Sequence, residues 1–168
     1  MKGERHGMGS HQSAAMQRDE WLTPPEIIDS LGAFDLDPCA PISRPWDTAT
    51  KHFTKADNGL HQPWEGRVWL NPPFGLEAAQ WLKRLSEHGN GIALIFARTE
   101  TAMFFDWVWS KASALYFIKG RLHFHFVDGR RAKANAGAPS VLVAYGKENQ
   151  SRLRLCGVPG QFVPLHNV

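Results

Sequence analysis

Val68-Trp69-Leu70-Asn71-Pro72-Pro73-Phe74 joins an apolar run to a pair of prolines. The run predicts a short buried strand, because it is too apolar and too brief to be a helix ahead of two prolines. Pro72 restricts Asn71 to an extended conformation, and neither proline has a backbone N–H that could continue a sheet. The chain must therefore leave the sheet in a stiff loop that carries an amide, a backbone carbonyl and an aromatic ring. In an open α/β sheet, ligands bind at such a carboxyl end of a strand.

The rest of the chain predicts alternating helices and strands. Helices are expected over residues 23–31, 76–88 and 102–111. Further strands are expected over residues 33–37, 91–97, 114–119, 121–127 and 141–145, with an edge strand in the tail from Ser151. This order predicts an α/β fold with a mixed, mostly parallel sheet and antiparallel C-terminal strands.

Two of these helices carry local signals. Thr23 is a candidate N-cap of the first helix, and Glu26 would complete a capping box with it. In the second helix, Leu76, Leu82 and Leu85 recur at helical spacing. This spacing predicts that all three leucines face the core.

Length and composition indicate one globular domain. The chain has 168 residues, of which 43% are hydrophobic. We expect a mobile tail over residues 1–19 and a single domain over residues 20–168. The net charge of +3 and the pI of about 9.0 are compatible with a nucleic-acid partner.

The sequence predicts a cytoplasmic protein without a membrane segment. The longest clear apolar run, residues 92–97, is too short to span a bilayer. No hydrophobic signal core precedes residue 20. Cys39 and Cys156 are far apart in the sequence, which suits a reducing compartment and argues against a zinc finger.

The Asn-Pro-Pro-Phe tetrapeptide is similar to the NPPY/NPPF motif of amino-methyltransferases, which use S-adenosylmethionine as methyl donor. The exocyclic amine of adenine is a poor nucleophile, because its lone pair is delocalised into the ring. The Asn71 oxygen and the Pro72 carbonyl can accept both amine hydrogens and favour the pyramidal form in the transition state. Phe74 can stack on a base that is flipped out of the duplex. The alternative is a strand followed by a structural Pro-Pro turn.

Further motifs surround the tetrapeptide in a fixed order. They are Trp21-x-Thr23-Pro24, Phe34-Asp35-x-Asp37-Pro38-Cys39-Ala40, Asp57-x-Gly59-Leu60 and Trp64-x-Gly66-x-Val68, then Arg98-Thr99, Gly120-Arg121-Leu122-His123-Phe124 and Pro139-Ser140. This order, over about residues 20–146, resembles the phage-type Dam family, which are small DNA adenine methyltransferases common in phages and prophages.

The resemblance implies a reduced Rossmann-like methyltransferase fold. It implies site-specific transfer of a methyl group from S-adenosylmethionine to the 6-amino group of adenine in a short duplex DNA motif. The implied catalytic residues are Asn71, Pro72, Pro73 and Phe74. By matched position, the implied cofactor-binding residues are Thr23, Pro24, Asp37, Pro38, Cys39, Ala40 and Asp57. A phage- or prophage-encoded enzyme of the bacterial cytoplasm, compatible with a monomer and with a restriction-modification role, follows from the same resemblance.

The chain departs from the wider methyltransferase pattern in two places. A glycine-rich turn usually follows the first strand, and this chain has Pro38-Cys39-Ala40-Pro41 there. The interval between Ala40 and Arg67 is too short for two complete βα units, so we expect the sheet to be reduced on that side. Asp47 is a weak candidate for the carboxylate that usually binds the ribose.

Five basic residues are candidates for contacts with DNA. Arg98 and Arg121 flank predicted strands, and three more lie in a loop over residues 128–139, namely Arg130, Arg131 and Lys133. A solvated loop without a partner is the alternative for the last three. Because the chain has no room for a separate recognition domain, such loops must choose the target, and we expect a short recognition sequence.

Several other interpretations stay open at this stage. The amine acceptor could belong to RNA or to a protein, or the chain could be a catalytically inactive DNA-binding relative. Pro38-Cys39 resembles the Pro-Cys nucleophile of cytosine-5 methyltransferases, although that cysteine belongs where this chain has Asn71. His123 and His125 share one face of a predicted strand and could contribute to a zinc site, but no third ligand is evident.

Overall fold

A mixed β-sheet forms the centre of the computed structural model, which describes residues 21–133 and 135–166. Within these residues the sheet has seven strands: β1 (Leu36–Asp37), β2 (Lys51–His52), β3 (Val68–Leu70), β4 (Gly91–Phe96), β5 (Ala114–Ile118), β6 (Ser140–Tyr145) and β7 (Gly160–Pro164). The predicted tail over residues 1–19 lies outside the described residues.

The strand order confirms the predicted fold class. The strands lie in the order β2-β1-β3-β4-β6-β5-β7. The first four are parallel to their neighbours, whereas β6 is antiparallel to both β4 and β5, and β7 is antiparallel to β5. The two-residue strand β2 ends the sheet beyond β1, which agrees with the reduced sheet expected from the short interval before Arg67.

Four helices cover the two faces of the sheet. They are α1 (Pro25–Ser30), α2 (Ala78–His88), α3 (Ala102–Phe104, continued by a π-helical turn over Phe105–Trp109) and α4 (Lys147–Leu155). Alternate residues of β4 belong to opposite cores: Ile92 and Leu94 pack on the side of α1 and α4, while Ala93 and Ile95 pack on the side of α2 and α3. Both faces of the sheet are therefore buried, which explains why the central strands are continuous apolar runs. Among the described residues, no helix has the length and apolarity to cross a membrane.

The predicted strand over residues 121–127 is wrong. This segment is irregular, and His125 forms only isolated bridges, to Leu22 and to Arg131. The Leu22 and His125 backbones exchange two hydrogen bonds of 2.9 Å. The alternation of His and Phe therefore reflects packing against the N-terminal segment and not membership of the sheet.

The predicted capping box at Thr23 is also wrong. Helix α1 begins at Pro25 with Pro24 as its N-cap, and no side chain caps it. Thr23 lies one residue too early to reach the free N–H groups of the first turn. Its hydroxyl is buried without a hydrogen-bond partner among the described residues.

Two further differences concern helices α2 and α4. Helix α2 begins at Ala78, so Leu76 precedes it and is 98% exposed instead of facing the core; Leu82 and Leu85 are buried as predicted. Helix α4 was not predicted, because Asn149 and Leu153 are its only buried residues. The predicted edge strand after Ser151 is confirmed by β7.

A buried guanidinium joins the elements at the amino end of β3. Arg67 is 4% exposed, and its side chain donates to the carbonyls of Leu31 (2.7 Å) and Ala33 (2.9 Å) and to the Asn149 Oδ1 (2.6 Å). The Phe34 ring lies 4.1 Å from the guanidinium carbon. Burial lowers the pKa of Arg67 from its usual value. Arg67 thus links α1, the lead into β1, β3 and α4.

We expect Arg67→Lys to lower the free energy of unfolding by about 2–4 kcal/mol, because an ammonium group cannot replace three divergent guanidinium bonds and leaves buried acceptors unpaired. Urea denaturation measures this change. Arg152→Lys is the matched control, since the Arg152 side chain is 50% exposed and is expected to contribute less than about 0.5 kcal/mol. Equal stability of the two variants would contradict the role given to Arg67.

Candidate active site

A pocket of about 180 Å³ lies at the carboxyl ends of β1 and β3. These strands are parallel neighbours, paired through Leu36 and Val68, so the loops that follow them meet at one edge of the sheet. The pocket wall comes from these two loops, the two 3-10 turns after β2, the start of α2 and the N-terminal segment. It consists of Trp21, Pro38, Cys39, Ala40, Pro41, Thr54, Lys55, Asn58, Gly59, Asn71, Pro72, Pro73, Phe74, Glu77 and Trp81.

Asn71 presents an acceptor to this pocket. Its Nδ2 donates to the Trp21 carbonyl at 3.2 Å, which fixes the direction of the amide. Within the described residues, neither the Asn71 Oδ1 nor the Pro72 carbonyl accepts a hydrogen bond. Two adjacent oxygens of the loop after β3 are therefore available to a ligand with two donor hydrogens.

Phe74 lies half-buried in the pocket wall. The Phe96 ring stacks on it in parallel, with 4.6 Å between centroids and 7° between planes. Phe124 contacts it at a steep angle, with centroids 6.0 Å apart. These neighbours hold the Phe74 ring in a fixed plane beside the two free oxygens.

The buried carboxylate of Asp37 holds the loop after β1 in place through hydrogen bonds. Its carboxylate accepts a hydrogen bond from the Cys39 N–H at 3.1 Å and another from the Thr48 hydroxyl. The side chain is only 3% exposed and is not part of the pocket wall, whereas Pro38, Cys39 and Ala40 are. Burial raises the pKa of Asp37 to about 6, and the two hydrogen bonds partly offset this effect.

The two 3-10 turns after β2 also contribute to the pocket wall. Asp57 caps its own turn, since its carboxylate accepts from the Thr54 N–H at 2.8 Å, and it is absent from the pocket wall. The Thr54 hydrogen bonds lower the pKa of Asp57. Asn58 follows in the left-handed conformation (φ 53°) and does line the pocket. Gly59 is required here, because a Cβ would lie 2.0 Å from the Pro38 carbonyl oxygen.

The N-terminal segment carries two polar groups without partners. Thr23 and Pro24 are buried behind the pocket and do not line it. Within the described residues, the Thr23 hydroxyl and the Trp21 Nε1 are buried and make no hydrogen bond. Trp21 is a member of the pocket wall, whereas Thr23 is not.

A family model for DNA N-6-adenine-methyltransferase (Dam) matches residues 10–158, a range that includes the whole pocket wall. The chain belongs to the Dam family. Comparisons with curated proteins and with solved structures give no match. The match confirms the resemblance to the Dam family that the order of motifs indicated. The activity that defines this family is methylation of the adenine N6 in DNA.

In this Dam-family chain the five residues predicted to contact DNA belong to segments that leave the sheet at its pocket edge. The antiparallel pairing of β6 with β4 places Ser140 beside Phe96, at the carboxyl end of β4. Strand β5 runs parallel to β4, so the whole connection from β5 to β6 starts and ends at this edge. That connection contains Arg121, Arg130, Arg131 and Lys133, all exposed, and Arg98 directly follows β4.

Three of these cations already have neighbours among the described residues. Arg121 donates to the Gly137 carbonyl at 3.3 Å. Arg130 forms an exposed ion pair with Asp128 at 2.7 Å. Arg98 is half-buried, with its guanidinium carbon 5.7 Å from the centroid of the Phe96 ring. Their contacts with DNA remain predictions.

Sequence reasoning missed an aromatic wall of the pocket. Trp81 lines the pocket from α2 and stacks on Trp64, with centroids 6.3 Å apart and 21° between planes. The Trp64 Nε1 donates to the Gly59 carbonyl at 2.8 Å, which anchors the pair to the turns after β2. Trp81 occupies a helical core spacing in the sequence, so no signal distinguished it from an ordinary packing residue.

The rival uses of Cys39 and the histidines gain no support from the geometry. Burial raises the pKa of the Cys39 thiol, which opposes formation of a nucleophilic thiolate. The His123 Nδ1 lies 3.1 Å from the Ala132 carbonyl, and His125 packs edge-to-face on Trp46. Among residues 21–133 and 135–166, no group of three or more His, Cys, Asp or Glu side chains could hold a metal ion.

The Asp37 pKa gives a testable dependence of stability on pH. Because the pKa of Asp37 is raised in the folded state, the folded chain binds this proton more tightly than the unfolded chain does. The resulting stabilisation of the fold is complete below about pH 3.8 and is lost as the pH rises through about 6. Relative to Asp37→Asn, we expect the wild type to lose up to about 3 kcal/mol of its free energy of unfolding between pH 4 and pH 7. Urea denaturation at several pH values measures it, and a difference that stays constant over this range would contradict the buried state of this carboxyl.

Proposed function

We propose that this chain is a site-specific methyltransferase that transfers a methyl group from S-adenosylmethionine to the 6-amino group of adenine in a short duplex DNA motif. The observation that carries the proposal is the pair of free acceptors, the Asn71 Oδ1 and the Pro72 carbonyl, beside the fixed ring of Phe74. The Dam-family match supports adenine in DNA as the acceptor.

The two acceptors would act on the adenine amine. Each oxygen would accept one N6 hydrogen, which draws the nitrogen toward the pyramidal form and returns its lone pair to the nitrogen. The target base would stack on the face of Phe74 that Phe96 does not cover. The amine nitrogen would then bond to the methyl carbon as the methyl–sulfur bond of the donor breaks and the sulfur keeps the electron pair. The methylated amine would afterwards lose a proton to solvent, so Asn71 and Pro72 need not act as bases.

The pocket fits S-adenosylmethionine as the methyl donor. When bound, this cofactor supplies an electrophilic methyl group. Pro38, Cys39 and Ala40 would border it on one side and Asn58 and Gly59 on another, as members of the pocket wall. Trp21 lines the pocket and its Nε1 has no partner among the described residues, so this donor is a candidate for a hydrogen bond to the carboxylate of the cofactor. Asp37 would support this pocket indirectly, by holding the Pro38–Ala40 loop.

The DNA would lie across the pocket edge of the sheet. Arg121, Arg130, Arg131 and Lys133 are exposed on the connection that starts and ends there, and Arg98 follows β4 at the same edge. Cations in this position can bind phosphates and leave the sequence to be read by neighbouring loop residues. From the resemblance to phage-type members, we further propose a phage- or prophage-encoded enzyme that acts in the bacterial cytoplasm.

Labelled S-adenosylmethionine tests the substrate class. Incubation with unmethylated duplex DNA, with RNA and with protein should label the DNA alone. Label in RNA or in protein, with none in DNA, would instead assign the same chemistry to a different amine. Retention of DNA without cofactor binding would identify an inactive DNA-binding relative.

We expect Asn71→Ala to reduce methylation of DNA by at least about 100-fold, because it removes one of the two acceptors that act in the transition state. Steady-state methylation assays give this value. The dissociation constant for S-adenosylmethionine, measured by calorimetry, should change little.

Gln80→Ala is the matched control, because Gln80 is an exposed amide on α2 outside the pocket wall. It should methylate DNA at the wild-type rate. Parallel loss of cofactor binding and methylation in Asn71→Ala would contradict the catalytic role of Asn71.

A further inference from the structure

Leu76 is the most exposed large apolar side chain of the described residues. It is 98% exposed, compared with 80% for Leu155, 65% for Ile42 and 59% for Phe105. Isolated apolar side chains on a surface are ordinary. Leu76 differs in its position, because Phe74, two residues before it, and Glu77, the residue after it, both line the pocket.

The local backbone holds Leu76 away from the protein. Gly75 has φ of 99°, and its carbonyl accepts a hydrogen bond from the Ala78 N–H at 3.2 Å, which closes a turn around residues 75–78. Because α2 begins only at Ala78, Leu76 is excluded from the apolar face on which Leu82 and Leu85 are buried. The loop therefore presents one apolar side chain at the mouth of the pocket.

The neighbouring groups indicate which partner this side chain meets. Phe74 of this loop stacks on Phe96, and the guanidinium carbon of Arg98 lies 5.7 Å from the centroid of the Phe96 ring. The Phe96 ring therefore contacts both the loop and a cation. A nucleic-acid backbone is the partner that matches a cation there. An exposed apolar side chain in a loop that DNA would cover is suited to enter a base stack.

We propose that Leu76 is a wedge that enters the DNA base stack and occupies the space left by the extruded adenine. This proposal rests on the proposed function, because it assumes that Phe74 holds a flipped base. Extrusion leaves a gap bounded by apolar base faces, and Leu76 fills that gap with a surface that is otherwise in water. Leu76 is thus a positioning residue that favours the extruded state and takes no part in the transfer of the methyl group.

The test compares paired and unpaired targets. We expect Leu76→Ala to lower kcat/KM for a duplex containing the mapped target motif by about 10-fold or more. When the target adenine faces an abasic site, extrusion needs little help, and the variant should come within about 2-fold of the wild type. Leu76→Met, which keeps an apolar side chain of similar length, should retain activity on both duplexes.

A fluorescence measurement reports extrusion directly. With 2-aminopurine in place of the target adenine, the wild type should raise the fluorescence on binding, and Leu76→Ala should raise it much less. Leu155→Ala is the matched control, since Leu155 is an exposed leucine on α4, far along the chain from the pocket, and it should behave as the wild type in both assays.

The outcomes separate the wedge from the proposed function. Equal losses on the paired and abasic duplexes, or no loss on either, would overturn the role of Leu76 while methylation by the wild type leaves the proposed function intact. Failure of the wild type to methylate either duplex would overturn both. A defect confined to the paired duplex, with reduced fluorescence, supports the wedge.

Discussion

The buried guanidinium of Arg67 is the constraint on which the position of the site depends. Arg67 immediately precedes β3. Besides its side-chain bonds, its backbone N–H donates to the Asp35 carboxylate at 2.7 Å and its carbonyl accepts from the Asp35 N–H at 2.8 Å. These bonds fix the register of β1 against β3. Since each strand is only two or three residues long, this register decides where the loops after them meet.

The two ends of these strands differ in how their polar groups are satisfied. At the amino end, the Arg67 side chain and Asn149 form a connected network: Asn149 bonds Arg67, Asn90 and the Tyr145 carbonyl. At the carboxyl end, Asn71 keeps a free oxygen and the Trp21 Nε1 stays unpaired within the described residues. Buried polar groups without partners are unfavourable, and those on a pocket wall are candidates for contact with a ligand.

The fold class could be predicted from the sequence, whereas parts of the fold around the loop at Asn71 could not. Two prolines after an apolar run leave few conformations, so the loop at Asn71 could be deduced from local chemistry alone. The strand over residues 121–127 was a wrong prediction, because its alternating pattern arises from packing against Leu22, which is distant in sequence. Arg67 gave no signal, since only the folded chain shows that its surroundings exclude water and supply three acceptors. Helix α4 buries too few residues to produce a readable periodicity.

If the pocket between the β1 and β3 loops serves methylation of adenine in DNA, the protein should modify DNA in a single defined way. Incubation with S-adenosylmethionine and unmethylated plasmid DNA, followed by direct sequencing of the modified bases, tests this role. We expect N6-methyladenine within one short motif and no modification of other bases. Unmodified DNA, together with calorimetric binding of S-adenosylmethionine, would contradict this role of the pocket.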